Sequence, residues 1–322
     1  MGVIEHPQEY ELARRAAAQG WACRDTLSGV HIGGDGRLTW RVGDELWLTA
    51  SHDADALGRE NALLSHLLSA FDRSKETFTV PAPVPTADGD LTFSSDGFGW
   101  RVTRHISGRR PDDDSLDTYR QSANTLRRLH EILRLLPNDI AVAKPVTSLS
   151  RNFVEHALGS DWETVTDDPS ERHDVVRMAT WLSTRLDALD QVPHQLIHGD
   201  WATPNLLMST GDPARIIAVL DWQFAMIGPA ISDHDQATST ALMWSSFPNK
   251  TQVIREILDC YGDEAQSRLL GVAMAAFWFW NYWGDRELLQ REPRAKAAMD
   301  RQPDRLRTVL AFAQHWEGSV GM

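Results

Sequence analysis

The chain has 322 residues, 42% of them hydrophobic, which is enough to bury the core of one large domain or two coupled domains. Its formal net charge of −13 argues against a nucleic-acid surface, because phosphate backbones are held mainly by clustered lysines and arginines. No apolar run is long enough to cross a membrane, and the N-terminal stretch carries charges where a signal peptide needs apolar residues. Cys23 and Cys260 lie too far apart in sequence to indicate a disulfide framework, so we expect a cytoplasmic protein with no membrane or nucleic-acid partner.

The N-terminal part of the chain predicts a small sheet with helices. Residues 7–20 are typical of a short amphipathic helix, and residues 56–71 repeat leucines at helical spacing. Three short segments are typical of strands, at 36–42, 46–50 and 98–104. The second helix therefore lies between the second and third predicted strands.

A break in periodicity at residues 107–114 marks the predicted boundary between two lobes. Beyond it the pattern is mostly helical, with the clearest candidates at 115–136, 171–189, 249–260, 264–288 and 303–316. We predict an α+β fold with a small N-terminal lobe of sheet plus helix at 1–106 and a larger, mostly helical C-terminal lobe at 107–322.

Residues 195–224 depart from the helical pattern and predict a strand, a loop and then a hairpin. Asp200 ends the strand, Asn205 stands at the start of the hairpin, and Asp221 closes its second arm. Because a hairpin brings its own ends together, Asn205 and Asp221 are expected to lie side by side.

These three side chains match the needs of phosphoryl transfer. The reaction requires a carboxylate that orients and deprotonates an attacking hydroxyl, and hard oxygen ligands that hold Mg²⁺ against nucleotide phosphates. Asp200 would be the base, and Asn205 and Asp221 would hold the metal.

The same segment resembles the aminoglycoside phosphotransferase and choline kinase-like family. The family's His-Gly-Asp loop and the Asn that follows it stand here as His198, Gly199, Asp200 and Asn205, and its metal-binding Asp stands as Asp221. The resemblance implies a bilobed protein-kinase-like fold, with ATP or GTP and Mg²⁺ as cofactors. It also implies a hydroxyl acceptor on a small molecule or, in some members, on a peptide Ser or Thr. We expect His198 to hold this catalytic loop by hydrogen bonds to backbone carbonyls or to Asp221.

Four residues are candidates for the acceptor side of the site. The resemblance extends to Leu126–His130 and to Asp233, which it makes a buried carboxylate that braces the loop near the substrate. Trp201 is the neighbour of Asp200 in the catalytic loop. Trp280 and Trp283 belong to an aromatic helix that is core by default, but late helices of the family wall the acceptor pocket.

On the nucleotide side, Glu60 is placed like the family's helix Glu, which pairs with a strand Lys. Thr49 occupies that Lys position, and a neutral hydroxyl cannot hold phosphates as an ammonium would. Either Arg41 or another basic group substitutes, or nucleotide binding is weak, or the chain is a catalytically impaired pseudokinase. The glycine-rich turn that includes Gly33 and Gly34 would lie over the phosphates.

Two other interpretations of the acidic residues are open. Asp233, His234 and Asp235 could coordinate a metal in a hydrolase that uses no nucleotide, although adjacent residues rarely point at one ion. The His-Gly-Asp triplet alone is also typical of a strand-to-loop turn with a capping Asp. The matching positions of Asn205 and Asp221 favour the phosphotransferase.

Overall fold

The computed structural model describes residues 7–32, 37–143, 146–160, 166, 168–243, 245–263, 267–291 and 302–320. The chain forms two compact units. Unit 1 comprises Met1–Arg110, Asp139–Ala143 and Pro204–Phe224, and unit 2 comprises Pro111–Asn138, Lys144–Thr203 and Ala225–Met322. Unit 1 thus contains the hairpin segment, which the sequence assigns to the second lobe. No helix in the described ranges is long and apolar enough to cross a membrane.

The elements follow one another in a mixed order of helix and strand. The helices are α1 (Pro7–Trp21), α2 (Ala54–Ser74), α3 (Leu116–Leu133), α4 (Val146–Gly159), α5 (Pro169–Ser183), α6 (Leu186–Asp190), α7 (His234–Met243), α8 (Lys250–Tyr261), α9 (Leu270–Arg291) and α10 (Gln302–Val320). The strands are β1 (Leu27–Ile32), β2 (Leu38–Val42), β3 (Leu46–Ser51), β4 (Pro83–Val84), β5 (Phe93–Ser95), β6 (Phe98–Arg104), β7 (His194–Ile197), β8 (Leu206–Met208), β9 (Ile216–Val219) and β10 (Met226–Pro229).

Unit 1 is built on an antiparallel sheet whose two faces differ in polarity. The strand order is β1–β2–β3–β6–β4, and β5 also pairs with β6. Because side chains alternate along a strand, one face is apolar. That face carries Trp40, Val42, Leu48, Ala50, Trp100 and Val102, which pack against Ala13, Ala16 and Ala17 of α1. The opposite face is polar, and in its centre Thr49 lies across from Thr39 on one side and Arg101 on the other.

The long helix α2 buries a carboxylate among its apolar residues. It is capped at its N-terminus by Asp53, whose side chain accepts a hydrogen bond from the Ala56 N–H, and at its C-terminus by Lys75 in the left-handed conformation, with φ 57°. Leu57, Leu63 and other leucines face inward, as the leucine spacing predicts. Glu60 shares that buried face and is only 1% exposed. A carboxylate in this setting requires charged or hydrogen-bonding partners.

Unit 2 is organised around α9, whose first part, residues 270–279, is apolar on all sides and buried. It packs against α4, α5, α7 and α10. Gly271 allows the close contact with α10, since a Cβ at this position would lie 3.0 Å from the Cα of Ala313. The strands β7 and β10 pair antiparallel, with Ile197 opposite Met226, and the His-Gly-Asp loop follows the end of β7.

Most predicted elements are present, with several differences. The helix predicted at 171–189 is two helices in the structure, α5 and α6, which are separated at Thr184 and Arg185. The helices α4 and α7 and the strand β1 were not predicted as such. The strand β1 contains a bulge at Gly29, where φ is +55°, and this interrupts its alternation.

Gly99 on β6 leaves no room for a methyl group, because a Cβ there would lie 2.7 Å from the Cα and Cβ of Ala54. We expect Gly99→Ala to lower the free energy of unfolding by about 1–3 kcal/mol, the usual effect of overpacking. Gly58→Ala is the matched control: it meets no atom within 4 Å and lies inside a helix, so it should be neutral or stabilising. Urea denaturation measures both values, and equal stabilities would contradict the close contact.

Candidate active site

The hairpin of unit 1 brings Asn205 and Asp221 to the same end. Its arms β8 and β9 pair antiparallel, with Leu206 opposite Val219. One step beyond, the Leu220 N–H donates to the Asn205 carbonyl at 2.8 Å. The backbone at 205 therefore lies beside the backbone at 220, as predicted for the two ends of a hairpin.

Two neighbouring segments of unit 1 fix the hairpin in place. Arg109 and Met208 exchange backbone hydrogen bonds at 2.9 and 2.8 Å, and Thr79 bonds the backbone of Ile217 and Val219 at 2.9 Å in each case. Gly108 permits the first contact, since a Cβ there would lie 2.9 Å from the Met208 carbonyl oxygen. The chain that leaves β6 is thereby attached to the hairpin.

Asp221 adopts the left-handed backbone conformation, with φ 60°. This conformation is unfavourable for residues other than glycine, although Asp and Asn tolerate it best. The next residue, Trp222, is buried and donates its indole N–H to the Val219 carbonyl at 3.2 Å. Strained backbone of this kind persists where surrounding contacts enforce it, and it is concentrated at functional sites.

A cavity of about 390 Å³ lies within unit 1, between the polar face of the sheet and the hairpin. Its charged lining consists of Arg37, Arg101, Arg104, Arg110 and Asp221, while its apolar lining includes Pro81, Ile106, Leu207 and Leu220. Burial lowers the pKa of the Arg110 guanidinium, and the nearby carboxylate of Asp221 opposes this effect. The cavity thus combines an excess of positive charge with one carboxylate.

At the predicted lysine position, Thr49 is buried and its hydroxyl lies 3.4 Å from that of Thr39. The partners of Glu60 are instead an arginine on β6 and an arginine that directly precedes β2. Arg37 Nη1 lies 2.6 Å from Glu60 Oε2, and Arg101 Nη2 lies 2.7 Å from Glu60 Oε1. Burial alone would raise the pKa of Glu60, but Arg101 and Arg37 outweigh it and hold this pKa below its usual range.

The other nucleotide-side candidates have different surroundings. Arg41 donates to the carbonyls of Gly43 and Asp44, so its guanidinium lies on the turn between β2 and β3 rather than on Glu60. Gly33 and Gly34 lie outside the described residues. Sequence reasoning missed Arg37 and Arg101, although alternation along β6 could have placed Arg101 on the polar face.

In unit 2 the His-Gly-Asp loop is held by Asp233. Asp233 Oδ2 accepts from the His198 N–H at 2.8 Å and Oδ1 accepts from the Gly199 N–H at 2.6 Å. His130 Nε2 lies 2.8 Å from Oδ2, and its Nδ1 lies 2.7 Å from the Tyr261 hydroxyl. Burial would raise the pKa of Asp233, but these donors and the nearby histidines lower it. Asp233 is fully buried, which supports bracing of the loop rather than contact with a substrate.

The loop itself turns at Gly199, whose φ of +79° favours glycine. His198 is buried, and its Nδ1 accepts from the Asp200 N–H at 3.2 Å. The imidazole therefore holds the loop through the backbone of Asp200, whose residue is partly exposed. This bond supports the predicted positioning role of His198, which stays a prediction.

The three candidate tryptophans differ in exposure. Trp201 is 1% exposed and donates its indole N–H to Ser122 Oγ at 2.8 Å, so its predicted acceptor contact lacks support and stays a prediction. Trp283 is also buried, with its ring stacked on Phe153 and edge-on to His156. Trp280 is only partly buried.

The cluster Asp233, His234 and Asp235 does not resemble a metal site. Among the residues that the structure describes, no group of three His, Cys, Asp or Glu side chains could hold a metal ion. His234 is buried against Tyr261, with ring centroids 4.2 Å apart, and neither of its ring nitrogens has a hydrogen-bond partner within the described part of the chain. Burial, with a smaller contribution from His130, lowers the pKa of His234 to about 3.

His234 should make stability depend on pH between about 3 and 6.5, the pKa values of the folded and ordinary imidazole. In that window unfolding takes up a proton, so the free energy of unfolding should rise with pH, by up to about 1.4 kcal/mol per pH unit from this group. His234→Phe keeps the ring contact and should flatten this part of the profile, whereas exposed His66→Gln should not. Denaturant titrations at pH 4 to 7 measure the slopes, and identical slopes for all three proteins would contradict a neutral buried His234.

Comparison with known proteins identifies the family and the fold of the chain. The model of the phosphotransferase enzyme family matches residues 26–270, whereas a sequence search of curated proteins gives no match. Among solved structures, amicoumacin kinase in complex with AMP-PNP, Ca²⁺ and Ami has a TM-score of 0.67 at 15% identity, covering 94% of this chain and 93% of that one. A microcompartment-associated aminopropanol kinase has a TM-score of 0.66 at 16% identity, covering 97% and 98%.

A third structure, spectinomycin phosphotransferase in complex with ADP and spectinomycin, has a TM-score of 0.61 at 15% identity, covering 98% of this chain and 99% of that one. At these identities the likeness establishes the fold, which is protein-kinase-like as expected. The family match spans well over half of the sequence and confirms the resemblance carried by the His-Gly-Asp loop. The chain belongs to the phosphotransferase enzyme family.

Proposed function

We propose that this phosphotransferase, whose acceptor is an alcohol group, moves the γ-phosphate of ATP or GTP to a hydroxyl of a small molecule. The observation that carries the proposal is the cavity of unit 1, in which arginines of the sheet and the Asp221 carboxylate line one space. A nucleotide polyphosphate with a divalent cation has the complementary charges. The apolar lining residues, such as Ile106 and Leu207, suit the base of the nucleotide.

Asn205 and Asp221 fit a Mg²⁺ ion. Magnesium is usually held by one or two protein oxygen ligands together with substrate phosphates, so a cluster of three acidic residues is not needed. The hairpin pairing places these two residues at one end, and Asp221 lines the cavity. When bound, the ion neutralises charge on the transferring phosphoryl group.

Asp200 is the proposed base. It would orient the acceptor hydroxyl and take its proton as the acceptor oxygen bonds to the γ-phosphorus and the bond to the β–γ bridging oxygen breaks, releasing the nucleoside diphosphate. The backbone of Asp200 is fixed by His198, and the loop before it is fixed by Asp233. These bonds fix the backbone position from which the Asp200 side chain extends.

The acceptor is proposed as a small molecule that carries both hydroxyl and amine groups. Amicoumacin, aminopropanol and spectinomycin kinases share the fold, and this motivates the choice of class. Trp280, partly buried on α9, is the better placed of the two late tryptophans to touch such a molecule. A peptide Ser or Thr is the alternative acceptor. Two free cysteines, both partly buried, suit a reducing cytoplasm, where we place the enzyme.

A second candidate function is nucleotide binding without transfer, which Thr49 motivates. Titration calorimetry with ATP and GTP, with and without Mg²⁺, separates the possibilities when it is followed by an assay for transfer. Metal-dependent binding with turnover supports the kinase. Binding without turnover on any hydroxyl acceptor tested would favour the pseudokinase.

Asp221→Asn should weaken the Mg²⁺-dependent affinity for ATP by at least about tenfold, because the site loses its charged metal ligand. Asn tolerates the left-handed conformation, so the melting temperature should change little. Exposed Asp88→Asn is the control for the loss of one carboxylate. Calorimetry measures the affinities, and an unchanged affinity in Asp221→Asn would contradict the metal assignment.

Asp200→Asn should leave nucleotide affinity near the native value and lower the rate of phosphate transfer by about 10²- to 10⁴-fold, since the variant loses the general base. The assay follows ADP release with spectinomycin, kanamycin and aminopropanol as trial acceptors, and with water as the background. Native-like turnover by the variant would show that another group takes the proton.

A further inference from the structure

Arg101 is a buried guanidinium with spare donors. Its Nη2 donates to Glu60, but Nε and Nη1 are buried and have no hydrogen-bond partner among the described residues. Most buried donors in folded proteins are satisfied, and an unsatisfied one is energetically unfavourable. These two nitrogens carry three N–H bonds between them, and they point to a ligand that accepts hydrogen bonds.

The surroundings of Arg101 specify an anion. The side chain lines the cavity of unit 1, where four arginines face one carboxylate, that of Asp221. Glu60 forms ion pairs with both Arg37 and Arg101, and it therefore offsets part of their positive charge. A guanidinium presents its N–H groups in a planar fork that matches two oxygens of a phosphate.

The register of the sheet explains why this anion site can replace the missing lysine. Arg101 on β6 lies directly across from Thr49 on β3, and both side chains are on the polar face. Thr49 is short, so it leaves space that a lysine at this position would occupy. Glu60 then holds a guanidinium from the adjacent strand where it would otherwise hold an ammonium.

We propose that Arg101, held together with Arg37 on Glu60, binds the α- and β-phosphates of the nucleotide in place of a lysine on β3. The inference rests on the proposed function, since it assigns residues to the phosphate contact of the same cavity. Arg101 contacts the phosphates through the N–H groups that are not bonded to Glu60. Arg37 completes the pair, so that Glu60 orients both guanidinium groups.

A purely structural ion cluster would predict a different result. Its removal would lower stability and weaken binding of every ligand of unit 1 alike. A phosphate anchor affects only ligands with phosphates. The ratio of the affinities for ATP and adenosine separates the two roles.

The test measures dissociation constants of ATP, adenosine and inorganic tripolyphosphate for the full chain, together with melting temperatures. In Arg101→Met, Glu60 keeps Arg37, so no uncompensated charge is left buried. We expect ATP and tripolyphosphate to bind about 10- to 100-fold more weakly, the usual effect of losing charged hydrogen bonds, with adenosine unchanged. Arg101→Lys should recover part of the loss, and it replaces Arg101→Met if the latter does not fold.

Arg59→Met is the matched control, because it removes an exposed guanidinium from α2 at the position that precedes Glu60 in the sequence. Equal weakening of ATP and adenosine by Arg101→Met would overturn the inference while leaving the proposed function intact. A loss with Arg41→Met and none with Arg101→Met would also overturn it. Failure of the native chain to bind ATP or tripolyphosphate would overturn the inference and the proposed function together.

Thr49→Lys provides an independent check. It adds a third cation beside Arg37 and Arg101, whose carboxylate partner is already shared. Repulsion between these groups should leave ATP affinity equal or weaker. Tighter ATP binding would show that the lysine position was unfilled and that Arg101 does not serve it.

Discussion

The geometry of the catalytic loop depends on one buried carboxylate. Asp233 has no exposed surface, and an isolated carboxylate in such a place would take up a proton. Its donors, the N–H groups of His198 and Gly199 and the imidazole of His130, keep it charged. The same bonds determine where the backbone turns before Asp200. The negative charge of Asp233 and the direction of the loop therefore depend on the same hydrogen bonds.

Backbone conformation complements these hydrogen bonds at two positions. Gly199 adopts a left-handed conformation at little energetic cost, whereas Asp221 adopts one against its own preference. The burial of Trp222 and the pairing of β8 with β9 hold Asp221 in that state. Gly199 lies two residues after the end of β7, and Asp221 lies two residues after the end of β9. At both positions the chain changes direction, so polar groups lie beyond the end of the strand. The strain at Asp221 is thus stored at the residue proposed to hold the metal.

The hairpin and the main helices could be predicted because their signals are local. The apolar stretches of β8 and β9 flank turn residues, and the leucines of α2 repeat at helical spacing. The helix α7 has no comparable signal, since its threonines and serines are weak helix formers and it is stabilised by packing against α8 and α9. The break between α5 and α6, at Thr184 and Arg185, likewise has no signal in the spacing of apolar residues. Periodicity alone does not show where tertiary contacts end a helix.

The ion cluster on Glu60 could be predicted only in part, because it depends on pairing between distant segments. The sequence shows that Glu60 lacks a lysine partner at Thr49, but Arg101 meets Thr49 only through the register of β3 and β6. A slip of one residue would turn Arg101 to the apolar face. The sequence offers Arg41 or another basic group as the substitute. The guanidinium of Arg41 is instead occupied by the turn that follows its own strand.

Thr49, Glu60 and Arg101 are best understood as one coupled set. Glu60 fixes the orientation of both guanidinium groups before any ligand arrives, which reduces the entropy lost on binding. This arrangement requires a short side chain at Thr49, since a long cation there would compete for the same carboxylate. The effect of each residue therefore depends on the identity of the others, as is typical of groups in one charged network. A kinase-like cavity can lose its strand lysine without losing its positive charge, provided that the neighbouring strands supply that charge and the helix carboxylate remains to hold it.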